Sequence, residues 1–309
     1  MPETSVAVCS RSFSRNPILR AELEAQYRNV KFNDEGLELK GNSLVAFLKG
    51  HEKAITALEK LDDFVLSQLP DLKVIGKYGV GLDMIDMDAM RKYKIRLGWE
   101  GGVNRRGVAE LVLAFILSML REIPAANREV MKGTWRQHTG IQLTGKTVGI
   151  IGCGHVGKEM VKLLVPFNCT ILVNDIQTQS DYYAANNIKA TQLDELLMQS
   201  DVVTLHTPLD DSTRNLINES NICLMKRSAI LINAARGGIV EESALKKALM
   251  TNSIAGAAFD VFTQEPPRDL ELLNLPNFLA TPHIGGSSKE AILAMGRSAI
   301  KGLSENAFV

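Results

Sequence analysis

Along the chain, short apolar runs alternate with stretches whose apolar positions recur at helical spacing, the rhythm of an α/β protein with parallel sheets. In the first third, apolar runs at residues 5–9, 30–32, 43–48 and 74–76 predict strands. Helical spacing covers residues 17–27, where Asn16 is placed as N-cap before Pro17, and residues 55–61 and 63–69. Residues 35–42 are polar with two glycines and read as a loop, and residues 99–104 read as a linker. Residues 106–120 then form a helix apolar all round, the pattern of a helix buried against a partner helix or subunit. Pro124 ends or interrupts it, residues 125–132 are helical again, and residues 136–143 form an arm.

The second half repeats the alternation. Strands are predicted at 147–151, 170–173, 202–205, 229–232, 254–259 and 278–280, with helices at 193–198, 220–225 and 242–250. The tail, 288–309, reads as a helix returning to the first domain. The first of these strands leads into Gly152, Gly154 and Gly157, spaced G-x-G-x-x-G, and then into a helix with apolar residues at Val156, Met160, Val161, Leu163 and Leu164. The next strand ends at Asp175. This frame is that of a dinucleotide site. The first glycine permits the tight turn, the second lets backbone approach a pyrophosphate, and the third lets the helix pack on the strand. The helix N-terminus offers free N–H groups to the phosphates, and the acid accepts from the ribose hydroxyls.

Composition narrows the partners. At 309 residues two domains are expected, and a formal net charge of zero argues against nucleic acid or an anionic membrane surface as the main partner. Cys9, Cys153, Cys169 and Cys223 show no C-x-x-C pair and no metal-ligand spacing, so they read as reduced, buried thiols, and no metal is expected. The N-terminus has no signal-peptide pattern and no apolar run is long enough to span a bilayer; a soluble, cytoplasmic protein is expected.

Polar groups with chemical potential cluster just after predicted strands, the ligand edge of an open parallel sheet. Gly79 and Gly81 flank Val80 in a turn that exposes backbone N–H groups, a common way to hold a carboxylate. Lys49 and Lys77 fall at or just after strand ends, as substrate ligands or as solvated surface charges. Arg236 suits a substrate carboxylate, His283 suits general acid/base work, and Glu265 suits fixing the tautomer of that histidine. His206 is a second strand-end histidine, and spacing alone does not rank it below His283.

Seven segments in order carry a resemblance: YGVGLDMID (78–86), GGVNRRGVAEL, LTGKTVGIIGCGHVGKEM, LHTPLDDSTRNLIN, LINAARGGIVEESAL, GAAFDVFTQEPP and TPHIGGSSKEA. The chain resembles the D-2-hydroxyacid dehydrogenases, and among them the D-3-phosphoglycerate dehydrogenases of serine biosynthesis. The resemblance implies two Rossmann-like or flavodoxin-like α/β domains with parallel sheets, the cofactor domain inserted into a discontinuous substrate domain. Residues 1–100 plus 286–309 would form the substrate domain and residues 101–285 the NAD-binding Rossmann domain. It implies Arg236, Glu265 and His283 as the catalytic set, and a cleft that closes on a small 2-hydroxy or 2-keto acid. His155 and Val156 would contact the pyrophosphate with the glycines, and Asp175 the adenine ribose. Thr207 and Pro208 would line the adenine side, with His206 and Thr213 also at the cofactor; Ala234, Ala235 and Arg236 would line the nicotinamide side. Asp260 would hold the carboxamide, and Gly285 and Gly286 would close over the cofactor. Val80 and Gly81 would share the substrate carboxylate with Arg236. A homodimer through the NAD-binding domains is implied, built on the helix that begins near Val108.

Departures from the family pattern matter for the substrate. WEGG (99–102) replaces an Asn-Thr-Pro-Gly type of linker, and Lys77 and Lys49 sit where phosphoglycerate-acting members tend to carry arginines. The chain stops at Val309, so no C-terminal regulatory domain and no serine feedback are expected. Ile176 after Asp175 supplies no cation for a 2′-phosphate, so NAD is expected over NADP. 3-Phosphoglycerate leads the candidate substrates, with D-lactate and glyoxylate or hydroxypyruvate as rivals. An NAD-sensing regulatory protein is the rival from another class.

Overall fold

The computed structural model describes residues 4–309, which form two compact units, residues 4–104 with 288–309 and residues 105–287. The first unit runs β1 (Ser5–Val8), α1 (Arg11–Ser14), α2 (Pro17–Glu24), β2 (Asn29–Phe32), α3 (Asn42–Leu48), β3 (Lys53–Thr56), α4 (Asp63–Leu66), β4 (Val74–Lys77), α5 (Met87–Lys92) and β5 (Arg96–Gly98). The second opens with α6 (Arg105–Leu120) and α7 (Ile123–Met131). It continues with β6 (Thr147–Ile151), α8 (His155–Leu164), β7 (Thr170–Asn174), α9 (Ser180–Ala185), β8 (Ile188–Ala190), α10 (Leu193–Gln199) and β9 (Val202–Leu205). It closes with α11 (Glu219–Ile222), β10 (Ile230–Asn233), α12 (Glu242–Met250), β11 (Gly256–Phe259), α13 (Leu270–Leu273) and β12 (Phe278–Ala280). Helix α14 (Lys289–Gly302) then returns to the first unit.

In the first unit five parallel strands lie in the order β2-β1-β3-β4-β5, so the strand order reverses between β1 and β3. Helix α14 covers β4 and β5 closely: a Cβ on Gly76 would lie 2.4 Å from the Ala299 carbonyl oxygen, and one on Gly98 would strike the backbone of Gly302. Past α14, Ala307 and Leu97 exchange backbone hydrogen bonds, so the last residues leave the helix that was expected to run to the end.

Two other expectations fail here. Residues 43–48 form helix α3 instead of a strand. Its apolar residues Leu44, Val45, Phe47 and Leu48 are all buried, and this i, i+1, i+3, i+4 set fits one helix face as well as it fits a short buried strand. Residues 55–61, expected to be helical, instead start inside strand β3. That strand is flanked on both sides by β1 and β4 and buried on both faces, so it lacks the alternation that marks a strand.

The second unit holds seven parallel strands in the order β12-β11-β10-β9-β6-β7-β8. One face packs on a core that includes Val112, Phe115 and Ile116 of α6 and Met160 and Leu164 of α8; the other packs on Leu196, Ile222 and Leu245 of α10, α11 and α12. The order reverses between β6 and β9, so the carboxyl ends of those strands flank a crevice of the kind that takes a ligand. Among the described residues no helix is long and apolar enough to cross a membrane. The cysteines are free, but only Cys9 and Cys153 are buried; Cys223 is exposed.

Candidate active site

The glycine loop joins β6 to α8. Gly152 has φ +90°, and a Cβ there would meet Thr207 Cγ2 at 2.8 Å; a Cβ on Gly157 would meet the Gly152 carbonyl oxygen at 2.3 Å. These two are glycines because the protein itself crowds them. At Gly154 a Cβ would meet no protein atom within 4 Å, so the open space above the loop is left for something other than the chain. Gly154 is the N-cap of α8, and His155 and Val156 begin the helix beside that space. At the neighbouring strand end the buried Thr207 hydroxyl has no hydrogen-bond partner. Asp175 closes the loop from β7: its Oδ2 accepts from the Cys153 N–H at 2.6 Å and its Oδ1 from the Gln177 N–H at 2.8 Å. Open space at the phosphate position, an orphan hydroxyl and an acid at the ribose position fit a dinucleotide. Cys153 lies inside the loop, but burial, followed by the Asp175 charge, pushes its thiol up to about 11, so it stays protonated.

Past β9 the chain turns through Thr207 and Pro208. The Thr213 hydroxyl accepts from the Asp210 N–H at 2.8 Å and donates to the Pro208 carbonyl at 2.7 Å, so Thr213 shapes this loop. The His206 ring is hydrogen-bonded through Nε2 to the Thr204 hydroxyl at 3.0 Å. Burial pushes that imidazole down to about 3, so it is neutral and held. His206 therefore reaches the glycine loop with its backbone, whose carbonyl carbon would lie 2.9 Å from a Gly152 Cβ.

Arg236 follows β10, in a turn built by Asn233. The Asn233 side chain donates to the Arg236 carbonyl at 2.9 Å and accepts from the Ala235 N–H at 3.0 Å. Ala234 and Ala235 form the first arm of that turn, and a Cβ on Gly237 in the second would collide with Phe262 backbone. Asn233 sits inside the LINAARGGIVEESAL segment, but its role as the builder of this turn depends on which residues the turn brings back to it.

His283 follows β12. Its Nδ1 lies 2.8 Å from Glu265 Oε2, and Glu265 Oε1 accepts from the Phe262 N–H at 3.1 Å, which anchors the acid to the end of β11. His283 has φ +55°, in the left-handed region, and its N–H donates to the Asp260 carbonyl at 2.9 Å. Asp260 itself is 1% exposed. Its carboxylate accepts from the Thr281 hydroxyl, from the Ile284 N–H at 2.7 Å and from the Gly285 N–H at 2.7 Å. The family resemblance implies Asp260 as a carboxamide ligand; in the structure both its oxygens are engaged in holding the 281–285 loop that carries His283, and Gly286 continues that loop.

In the first unit the expected turn follows β4. Gly79 has φ +124°, and among the described residues the N–H groups of Gly79, Val80 and Gly81 have no acceptor. Lys77 is not a solvated surface charge: it is 4% exposed, and its Nζ donates to the Ala57 carbonyl at 2.6 Å and to the Tyr78 carbonyl at 3.4 Å. Lys49 is exposed at the C-cap of α3, not at the end of a strand, because the run before it is a helix.

Comparison with known proteins identifies a family for the chain. The family model described as "D-isomer specific 2-hydroxyacid dehydrogenase, NAD binding domain" matches residues 113–285. D-3-phosphoglycerate dehydrogenase of Methanocaldococcus jannaschii is 39% identical over 235 residues, 75% of this chain and 45% of that protein. The chain thus spans about half the length of such curated relatives. Glyoxylate reductase of Thermofilum pendens is 40% identical over 253 residues, 79% of this chain and 75% of that one. The crystal structure of Aquifex aeolicus D-lactate dehydrogenase with NAD and lactic acid superposes with a TM-score of 0.83 at 27% identity, covering 97% of this chain and 95% of that one. The chain belongs to the D-isomer specific 2-hydroxyacid dehydrogenase family and carries that family's NAD-binding domain.

Proposed function

We propose that the protein is an NAD-dependent oxidoreductase that interconverts a D-2-hydroxy acid and its 2-keto acid. The observation that carries this reading is the His283–Glu265 pair at 2.8 Å, held on the same sheet edge as the glycine loop and Arg236. Bound along Gly152, Gly154, Gly157 and Asp175, the cofactor would supply or accept the hydride at its nicotinamide. His283 takes the hydroxyl proton during oxidation and returns it during reduction, through the Nε2 that Glu265 leaves available. Glu265 fixes the tautomer and stabilises the imidazolium, as the acid of a catalytic triad does. Arg236 pairs with the substrate carboxylate and polarises the adjacent carbonyl. In the first unit, the Gly79–Gly81 turn carries N–H groups of the kind that hold a carboxylate.

Among substrates, 3-phosphoglycerate with its keto acid comes first on the names of relatives, and glyoxylate or hydroxypyruvate second. The burial of Lys77 favours the unphosphorylated acids. Turnover of phosphohydroxypyruvate, hydroxypyruvate, glyoxylate and pyruvate with NADH, followed at the nicotinamide absorbance, ranks them. Tight NADH binding with no acid turned over and a protein partner recovered would replace the enzyme by a regulatory NAD sensor. A homodimer through α6 and α7 also fits, since α7 buries no residue and leaves Ile123, Val130 and Met131 exposed. Light scattering at a monomer mass would remove that assembly.

A further inference from the structure

We propose that Trp99 and Lys77 are positioning residues that orient the peptide planes of the 78–81 turn for a substrate carboxylate, and that Lys77 is a brace and not a ligand for a substrate phosphate. This rests on the 2-hydroxyacid reading above. A trans peptide is planar, so the carbonyl of one residue and the N–H of the next point in opposite directions. The Trp99 indole N–H donates to the Val80 carbonyl at 2.9 Å, which fixes the direction of the Gly81 N–H. The Lys77 ammonium contacts the Tyr78 carbonyl at 3.4 Å, which does the same for the Gly79 N–H. Two alternate peptides are thus held from behind by their oxygens, and the N–H groups on the other side have no acceptor among the described residues.

Lys77 also donates to the Ala57 carbonyl at 2.6 Å, and the N–H of Ala57 is held by Glu59 Oε2 at 2.6 Å. The ammonium is therefore built into the strand ends. To reach a phosphate it would have to leave one buried and one half-buried carbonyl without this donor, a cost that a ligand lysine at a surface does not carry. Trp99 adds a link that sequence spacing does not show. It is the first residue after β5, and through its indole it ties the start of the 99–104 segment to the carboxylate turn.

The test uses the intact protein with Trp99→Phe, which keeps a ring and removes the N–H, and Lys77→Met. Steady-state kinetics with glyoxylate, hydroxypyruvate and phosphohydroxypyruvate is paired with oxamate binding to the protein–NADH complex. Trp99→Phe is expected to raise KM for each acid and Kd for oxamate about fivefold to tenfold, the loss of one hydrogen bond. kcat, NADH affinity and melting temperature should stay near wild type. An unchanged KM and oxamate Kd would overturn the brace, and so would a parallel loss of NADH affinity and melting temperature, which marks a merely structural tryptophan. Lys77→Met is expected to weaken phosphorylated and unphosphorylated acids by the same factor; a loss confined to phosphohydroxypyruvate would make Lys77 a phosphate ligand. If the wild-type protein turns over no acid, the proposed activity fails while oxamate binding still decides the brace, and a wild-type NADH complex that binds no oxamate overturns it.

Discussion

His283 Nδ1 and Glu265 Oε2 stand 2.8 Å apart, joined across the ends of two adjacent strands, β12 and β11. The acid is anchored by the Phe262 N–H and the histidine backbone by Asp260, so neither partner relies on the other for its place. This arrangement leaves Nε2 as the nitrogen that would meet a substrate in the proposed reaction, with the tautomer set by the bond on the far side of the ring.

Glu265→Gln is expected to keep a hydrogen bond to Nδ1 but to lose the charge that stabilises the imidazolium. kcat should fall about 100-fold, with NADH affinity near normal. A variant that turned over at the wild-type rate would reduce Glu265 to a loop acid.

The two strand-end histidines are separable by mutation. His283→Ala should remove a factor of about 10²–10⁴ from kcat, the range for a positioned acid/base. His206→Asn should leave kcat within a few-fold, since that ring is neutral and bonded to Thr204. The reverse ranking in stopped-flow hydride transfer would move the base to His206.

Asp260→Asn places amide hydrogens against N–H groups that now donate to a carboxylate. Urea unfolding should show a loss of about 3 kcal/mol, comparable to breaking buried hydrogen bonds to a charged group. kcat should fall with it, because the 281–285 loop carries His283. Wild-type stability would mean that the loop holds itself without Asp260.

Asp175→Ala removes the acid that would face a 2′-phosphate. The ratio of kcat/KM for NADH over NADPH is expected to drop at least tenfold. An unaltered ratio would show that other groups discriminate the ribose.

His138 gives a pH dependence outside the site. Its Nδ1 lies 2.7 Å from Glu122 Oε2 and its Nε2 2.9 Å from Glu129 Oε2, and these two acids, Glu122 first, hold its pKa above the ordinary imidazole range. Arg136, which also bonds Glu129, opposes them weakly. A raised folded-state pKa contributes stability that is complete below the unfolded value of about 6.5 and is lost as pH rises through the folded one. Thermal melts of the wild type should therefore decline over that window relative to His138→Gln. Parallel curves would show that the clasp adds nothing.

Much of the cofactor unit is legible in the sequence. Strand β6, the glycine turn, helix α8 and Asp175 fall where the pattern puts them, because local turn geometry and helix packing demand those residue types at those spacings. The first unit is harder. Helix α3 and strand β3 exchange their expected types, since short apolar runs lack a period long enough to separate them.

By itself the sequence determined the chemistry available to this protein: a dinucleotide loop, an acid for a ribose, and an arginine, a glutamate and a histidine after strands. Those signals are local, and the chain carries them as spacing. The tertiary structure alone decided how each polar group is used. It turned His206 onto Thr204, set Asp260 to hold a loop, buried Lys77 against two carbonyls and brought Trp99 to Val80. The physical reason is that a hydrogen-bond partner is chosen by distance in space, and strand order sets that distance between residues that are remote along the chain.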